Sequence, residues 1–167
     1  MTIDKSHVTL RGENAGTKLI LVDGLTDVAV VYVNGDGKEN IVVKDFYING
    51  NAATQTSTGF ICNGVLVRGN VANNFPKNVV VSGMVIENCR RMGVMMFADG
   101  GKVLDCHFSG NFGSHVVEVL GRNCIIDRCS LLIANGIIAD YGFGIDSCDN
   151  FIISNNLIRI EAGAVIS

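Results

Sequence analysis

The chain has 167 residues, 48% of them hydrophobic and 17% charged, with a formal net charge of −3. That length fits one domain able to bury a core, and the balance excludes disorder, which needs low hydrophobicity and high charge. There is no basic patch for a nucleic acid, no apolar run long enough to span a membrane, and no apolar stretch of a signal peptide in the opening MTIDKSHVTLRG.

From the N-terminus, SHVTLRG, TKLILVDG and VAVVYVNG alternate apolar and polar residues and read as short strands. NGDGKEN (34–40) is a turn, because Asn-Gly and Asp-Gly enter positive φ cheaply. It also loosely resembles a calcium loop, but its carboxylates are few, so no cofactor is expected. NIVVKDFYINGN follows, then a polar insertion, NAATQTSTG (51–59), and a loop, RGNVANNFPKN (68–78), that holds the single proline.

From there the pattern tightens: NVVVSGMVIENC, KVLDCHFSGN, NCIIDRCSLLIAN and NFIISNNLIRIE repeat one design. Two apolar positions five residues apart bracket a turn residue, in Val43/Ile48, Val81/Ile86, Val103/Phe108, Ile126/Leu131 and Ile153/Ile158. Successive pairs lie 38, 22, 23 and 27 residues apart. A fixed unit with insertions at set places is the mark of a solenoid. A third strand completes each unit: GVMMF (93–97), HVVEV (115–119), GFGID (142–146) and GAVIS (163–167). No useful helical period occurs, so parallel strands must be reached by coiling, three short strands to a coil and about six to seven coils. One turn slot holds Asp45, Gly83, Asp105, Arg128 and Asn155, where a side-chain oxygen can satisfy the bend. Cys106 and Cys129 share the next slot and should stack, as compact fillers or, alternatively, as a disulfide. None of the six cysteines forms a C-x-x-C pair and no histidine has a ligand partner at useful spacing, so no metal site is expected.

With these repeats the chain resembles the right-handed, single-stranded parallel β-helix proteins: pectate-lyase-like enzymes, mannuronan epimerases and phage tailspikes. The likeness rests on NVVVSGMVIENC and KVLDCHFSGN, and on MTIDKSHVTLRGENAGTKLILVDG as the segment that starts the coils. It covers nearly the whole chain as one domain, 1–167. It implies an acidic polysaccharide as partner and an extracellular, cell-surface or virion location. Lyases and epimerases of such proteins need a positive group, a base and an acid at a uronate; hydrolases need two flanking carboxylates. The epimerase motif Tyr-Gly-(Phe or Val)-Asp-Pro-His is departed from: MGVMMF (92–97) has only its glycine. YGFGID (141–146) supplies Tyr141, Gly142, Phe143 and Asp146 with two extra residues, and Ser147-Cys148 stands where Pro-His belongs.

The candidate site follows from the third-strand column. Alternation turns Val94, Met96, Val117 and Val119 inward and Met95 and Glu118 outward, with Gly144 or Asp146 next in line. Glu118 with Asp146, and Tyr141 beside them, are the expected catalytic groups; Arg90, Arg91 and Arg122 are the expected substrate-binding cations. Two functions stay open. One is a lyase, epimerase or hydrolase of acidic polysaccharide. The other is a non-catalytic rod or glycan-binding module of a phage tail or cell surface. An exposed apolar outer face around Met95 would suit a trimer. Uncapped first and last coils would suit end-to-end stacking or an excerpt of a longer chain.

Overall fold

The computed structural model describes residues 1–13, 16–56, 59, 62–69, 74–134, 138–162 and 165–166, with backbone alone for 138–141 and 165–166. Parts of both expected loops (57–58, 70–73) and of the last expected strand (163–164, 167) lie outside the described residues. Among the described residues the regular elements are strands, with no α-helix. In chain order these are β1 (Thr2–Ile3), β2 (Thr9–Arg11), β3 (Lys18–Ile20), β4 (Val31–Asn34), β5 (Glu39–Lys44), β6 (Tyr47–Asn49), β7 (Val65–Arg68) and β8 (Lys77–Ser82). They continue with β9 (Val85–Cys89), β10 (Val94–Asp99), β11 (Lys102–Leu104), β12 (His107–Asp127), β13 (Ser130–Ile133), β14 (Ile138–Ser154), β15 (Leu157–Ile160) and β16 (Val165–Ile166).

Every described pairing is parallel, and the strands form three ladders, each six described strands deep. One runs β1–β4–β7–β10–β12–β14. A second runs β2–β5–β8–β11–β12–β14. The third runs β3–β6–β9–β12–β13–β15. β12 is long enough to serve all three. Asp99 of β10 also pairs with Lys77 of β8, so β8, β10, β12 and β11 close a four-strand ring.

The registers follow the repeat read from sequence. Val43, Val81, Val103, Ile126 and Ile153 pair in succession, and so do Ile48, Ile86, Phe108, Leu131 and Ile158. Except for the exposed Ile153 and Ile158, these columns, with Val33, Val67, Met96 and Val119, belong to the main buried cluster. Burying each such side chain contributes about 1.5–3 kcal/mol, which is what holds strands too short to persist alone.

The chain turns between ladders on left-handed residues. Asp45, Gly83, Asp105, Arg128 and Asn155 have φ of 62°, 61°, 53°, 51° and 53°. A second corner stacks His7, Asn40, Asn78, Gly100, Asn123 and Asn150, all at positive φ. Asparagine tolerates this conformation better than most residues and can bond its neighbour in the stack. The Asn78 amide donates to Asn40 Oδ1 at 3.3 Å, and Asn150 to Asn123 Oδ1 at 3.4 Å. Arginine is an unusual occupant. Arg128 is held by a two-pronged contact to Asp105 at 2.7 and 2.9 Å and by a further contact to Asp127.

One expectation is corrected. Met95 does point away from the main cluster, but it is only 2% exposed. It joins Ala29, Leu66 and Met92 in a second apolar cluster, with Tyr32, Phe97 and Leu120 packed against it. Asn63 helps to cover it: its Nδ2 lies 3.9 Å from Met95 Sδ, and its Oδ1 accepts the Met92 N–H at 3.2 Å. The outer face of the first ladder is therefore not the exposed apolar patch expected for a trimer.

Candidate functional site

The outward column of the first ladder runs Tyr32, Leu66, Met95, Glu118, Gly144. The residue after Glu118 in the stack is thus Gly144, not Asp146. Glu118 is 9% exposed, an unusual degree of burial for a carboxylate. Its Oε1 lies 3.8 Å from Nδ1 of His115, a side chain that is itself largely covered. Gly144 makes room for that histidine, since a Cβ there would stand 2.4 Å from His115 Cδ2. His115 pairs with Tyr141 along the backbone, while the Tyr141 side chain lies outside the described residues. Sequence alternation found Glu118 and missed His115 as its partner.

Asp146 lies two residues beyond Gly144, where β14 carries a bulge. Val119 pairs with Ile145 and Gly121 with Cys148, so three steps of β14 oppose two of β12. Ser147, inside the bulge, has φ of 49°. Asp146 is exposed and accepts the Ser147 hydroxyl at 3.0 Å. Bulges re-aim side chains and terminate regular pairing.

Beyond the bulge the chain bends, and Arg122 stands in a column of alternating charge: Glu39, Lys77, Asp99, Arg122, Asp149. Arg122 Nη2 lies 3.4 Å from Asp99 Oδ2. Beside it opens a cleft of about 440 Å³ lined by Phe75, Gly121, Arg122, Ser147 and Asp149. The bend thus brings Arg122 next to the segment that carries Asp146, with an aromatic ring and a second carboxylate that sequence reading had not singled out. Their approach depends on the bulge and on a loop fold that no local pattern encodes.

Arg90 and Arg91 are not brought to this cleft. Arg90 reaches into a small cavity between the 50–55 segment and the Cys62–Asn63 turn, with about 10 Å³ of free space. Its Nε and the Oε1 of Gln55 are both buried there with no protein partner. Arg91 donates its backbone N–H to Cys62 O at 3.0 Å.

Other polar groups are satisfied within the stack. On the third ladder Tyr47 donates to Glu87 Oε2 at 2.9 Å and His107 Nδ1 meets Ser130 Oγ at 2.8 Å. Partial burial, then the bond to Glu87, raises the Tyr47 phenol above its ordinary value. Asp127 accepts from Ser154 at 2.7 Å and Asn155 at 2.9 Å, and these bonds hold its carboxyl below the ordinary range. All six cysteines are free. Cys106 and Cys129 bond side chain to side chain, so the stacking expected from their shared slot is present and the disulfide is not. That bond, then burial, pushes the Cys106 thiol well up. Among the described residues no cluster of three or more His, Cys, Asp or Glu has metal-binding geometry.

No family model matches this chain, and no curated protein does. Among solved structures, one provisionally described as a glycosyl hydrolase from Parabacteroides merdae is similar at 14% identity and a TM-score of 0.45. The similarity covers 99% of this chain and 78% of that one. A likeness of this degree assigns neither fold family nor activity.

Proposed function

We propose that the three ladders are the faces of one right-handed parallel β-helix, and that it binds an acidic polysaccharide in the cleft at Phe75, Arg122, Ser147 and Asp149. The cleft carries this reading. Its volume lies within the usual range for a small-ligand site, and it sets an aromatic ring beside a guanidinium and hydroxyl-binding acceptors. The Phe75 ring takes the apolar face of a pyranose. Arg122 spends one edge on Asp99 and keeps other N–H groups for a uronate carboxylate. Ser147 and Asp149 take sugar hydroxyls. A polysaccharide partner places the chain outside a cell or on a virion.

The test is calorimetric titration with uronate oligosaccharides against neutral ones. Binding of the uronates, weakened at least about tenfold by Arg122→Gln and also by Phe75→Ala, is the expected outcome. Binding that ignores both substitutions, or no binding of any uronate, would sink the reading.

A second reading is favoured by one observation, the half-hidden His115–Glu118 pair. A histidine oriented by a carboxylate is a competent general base for removing the proton beside a uronate carboxylate. Glu118 would orient and His115 would accept the proton, with Asp146, Tyr141, Arg90 and Arg91 outside the step. Ultraviolet absorbance of unsaturated products, lost in His115→Gln, would establish a lyase. Its absence on every uronate polymer leaves the binding module alone.

A further inference from the structure

The outer faces of the three ladders differ. That of the first is covered around Met95 by Ala29, Met92 and Asn63. That of the third carries Tyr47, Glu87, His107, Ser109 and Ser130, whose polar groups bond one another. The second is apolar along its middle. There Val42, Val80, Lys102 and Ile125 stand in register on β5, β8, β11 and the 125–127 part of β12, and Leu104 shares their side. They alternate with Val43, Val81, Val103 and Ile126 of the buried cluster. Yet Val42, Val80, Leu104 and Ile125 are only half-buried, and Lys102 is exposed. Charged residues border the stripe on both sides, and an apolar middle within a polar rim is how docking surfaces are built.

We propose that this face docks the same face of a second copy of this chain. The two stacks lie antiparallel about a two-fold axis that runs along the strands between β8 and β11. Such an axis sets β8 of one copy on β11 of the other, and β5 on the 125–127 part of β12. Position along a strand is kept, so each column meets itself in reverse order.

Charge selects this register. On one rim Lys44 meets Asp127, and Asp45 meets Arg128. On the other Lys77 meets Asp99, and Glu39 meets Arg122. Each pair joins opposite charges, and the two-fold makes it twice. Arg11, Asp105 and Asp149 face Ser154, Gly83 and Ser6, so no like charges meet. A shift of one strand either way would set Lys77 on Lys77 or Asp99 on Asp99. A shift of two would part Lys44 from Asp127. In the middle Val42 lies on Ile125, and Val80 on Lys102, whose stem covers apolar surface while its ammonium reaches water. The face is about 20 Å wide and about 24 Å along the stack. It buries about 500 Å² on each copy, the low end for a specific contact, so the dimer dissociates on dilution.

Sedimentation equilibrium tests this across about a hundredfold range of concentration. The weight-average mass of the unaltered chain is expected to rise from one chain mass towards two and to stop there, because a two-fold contact closes on itself. Ile125→Asp puts a carboxylate into the apolar middle and is expected to hold the protein at one chain mass. Val85→Asp makes the same kind of change on the outer face of the third ladder and is expected to associate like the unaltered chain. Lys44→Glu sets like charges against Asp127 twice in each dimer and is expected to weaken association at least about tenfold at low salt. One chain mass for the unaltered protein at every concentration, or growth past two, would overturn the proposal. So would undiminished association in Ile125→Asp or Lys44→Glu, or its loss in a folded Val85→Asp. Should Ile125→Asp fail to fold by circular dichroism, Lys44→Glu, which changes only a surface charge, decides.

Discussion

Ile126 and Ile153 are adjacent members of one apolar column and the same residue type, but they differ in depth: 0% against 44% exposed. Replacing each with alanine separates packing from identity. Ile126 has Val103 on one side in the stack and Ile153 on the other, so truncation leaves a closed cavity. Loss of three carbons at about 0.8 kcal/mol each, plus the cavity, puts Ile126→Ala at about 3–4 kcal/mol. Among the described residues Ile153 has a stack neighbour on one side only. Roughly half the transfer term is at stake and no closed cavity forms, so Ile153→Ala should cost about 1 kcal/mol. With a urea slope of about 2 kcal/mol per molar, the midpoints should move by about 1.5–2 M and about 0.5 M. Equal shifts for the two variants would refute the reasoning, because depth in the column would then not set the energy.

Three further outcomes follow from the corners and the thiols. Asn78 holds φ of 52°, so Asn78→Ala should cost about 1 kcal/mol more than Asn78→Gly, a difference of about 2–4 °C in thermal midpoint. Asp127 and Asp105 titrate below their unfolded values, through bonds from Ser154 and from Arg128 respectively. Their stabilisation is present above the unfolded carboxyl pKa of about 4 and fades as pH falls through the depressed values, so acid unfolding should flatten in Asp127→Asn. Burial pushes Cys89 and Cys124 up to about 12. Keeping these thiols neutral stabilises the fold fully below the unfolded thiol pKa of about 8.5, and the benefit is lost as pH rises towards 12. Urea midpoints should therefore drop on that side, and Cys124→Ser should reduce the drop. In the native protein at neutral pH, Cys148, the one half-exposed thiol, should be alkylated first.

The ladders were legible because the repeat fixes register by chemistry. A slip of one residue would turn Val81 or Ile126 outward and Val80 or Ile125 inward, and the pairs five residues apart would lose step across the turn. The turn slot was legible for a related reason: Asp, Asn and Gly recur there because left-handed φ penalises other residues. Arg128 shows the limit of that rule. Its place at φ of 51° is held by Asp105 on the previous unit, a contact that no local signal announces.

The candidate site was legible only up to the first irregularity. Alternation carried correctly from Val94 through Val119, and it placed Glu118 on the outward column. It then left Gly144 and Asp146 as rivals, because the register shifts upstream, where three steps of β12 from Phe112 to His115 oppose two of β14 from Ala139 to Tyr141. A second irregularity, the bulge between Ile145 and Cys148, sets Ser147 at the cleft beside Arg122. Burial of Met95 was hidden for another reason. The cover comes from Ala29, Met92 and Asn63, which lie outside the repeating strands, and a repeat says nothing about what its connections fold over. Stability resides in the shared columns, and chemistry has room where a column is interrupted. On that argument Arg122, beside a bulge and an open cleft, is a better site for recognition than Arg90, whose Nε is sealed beneath an insertion.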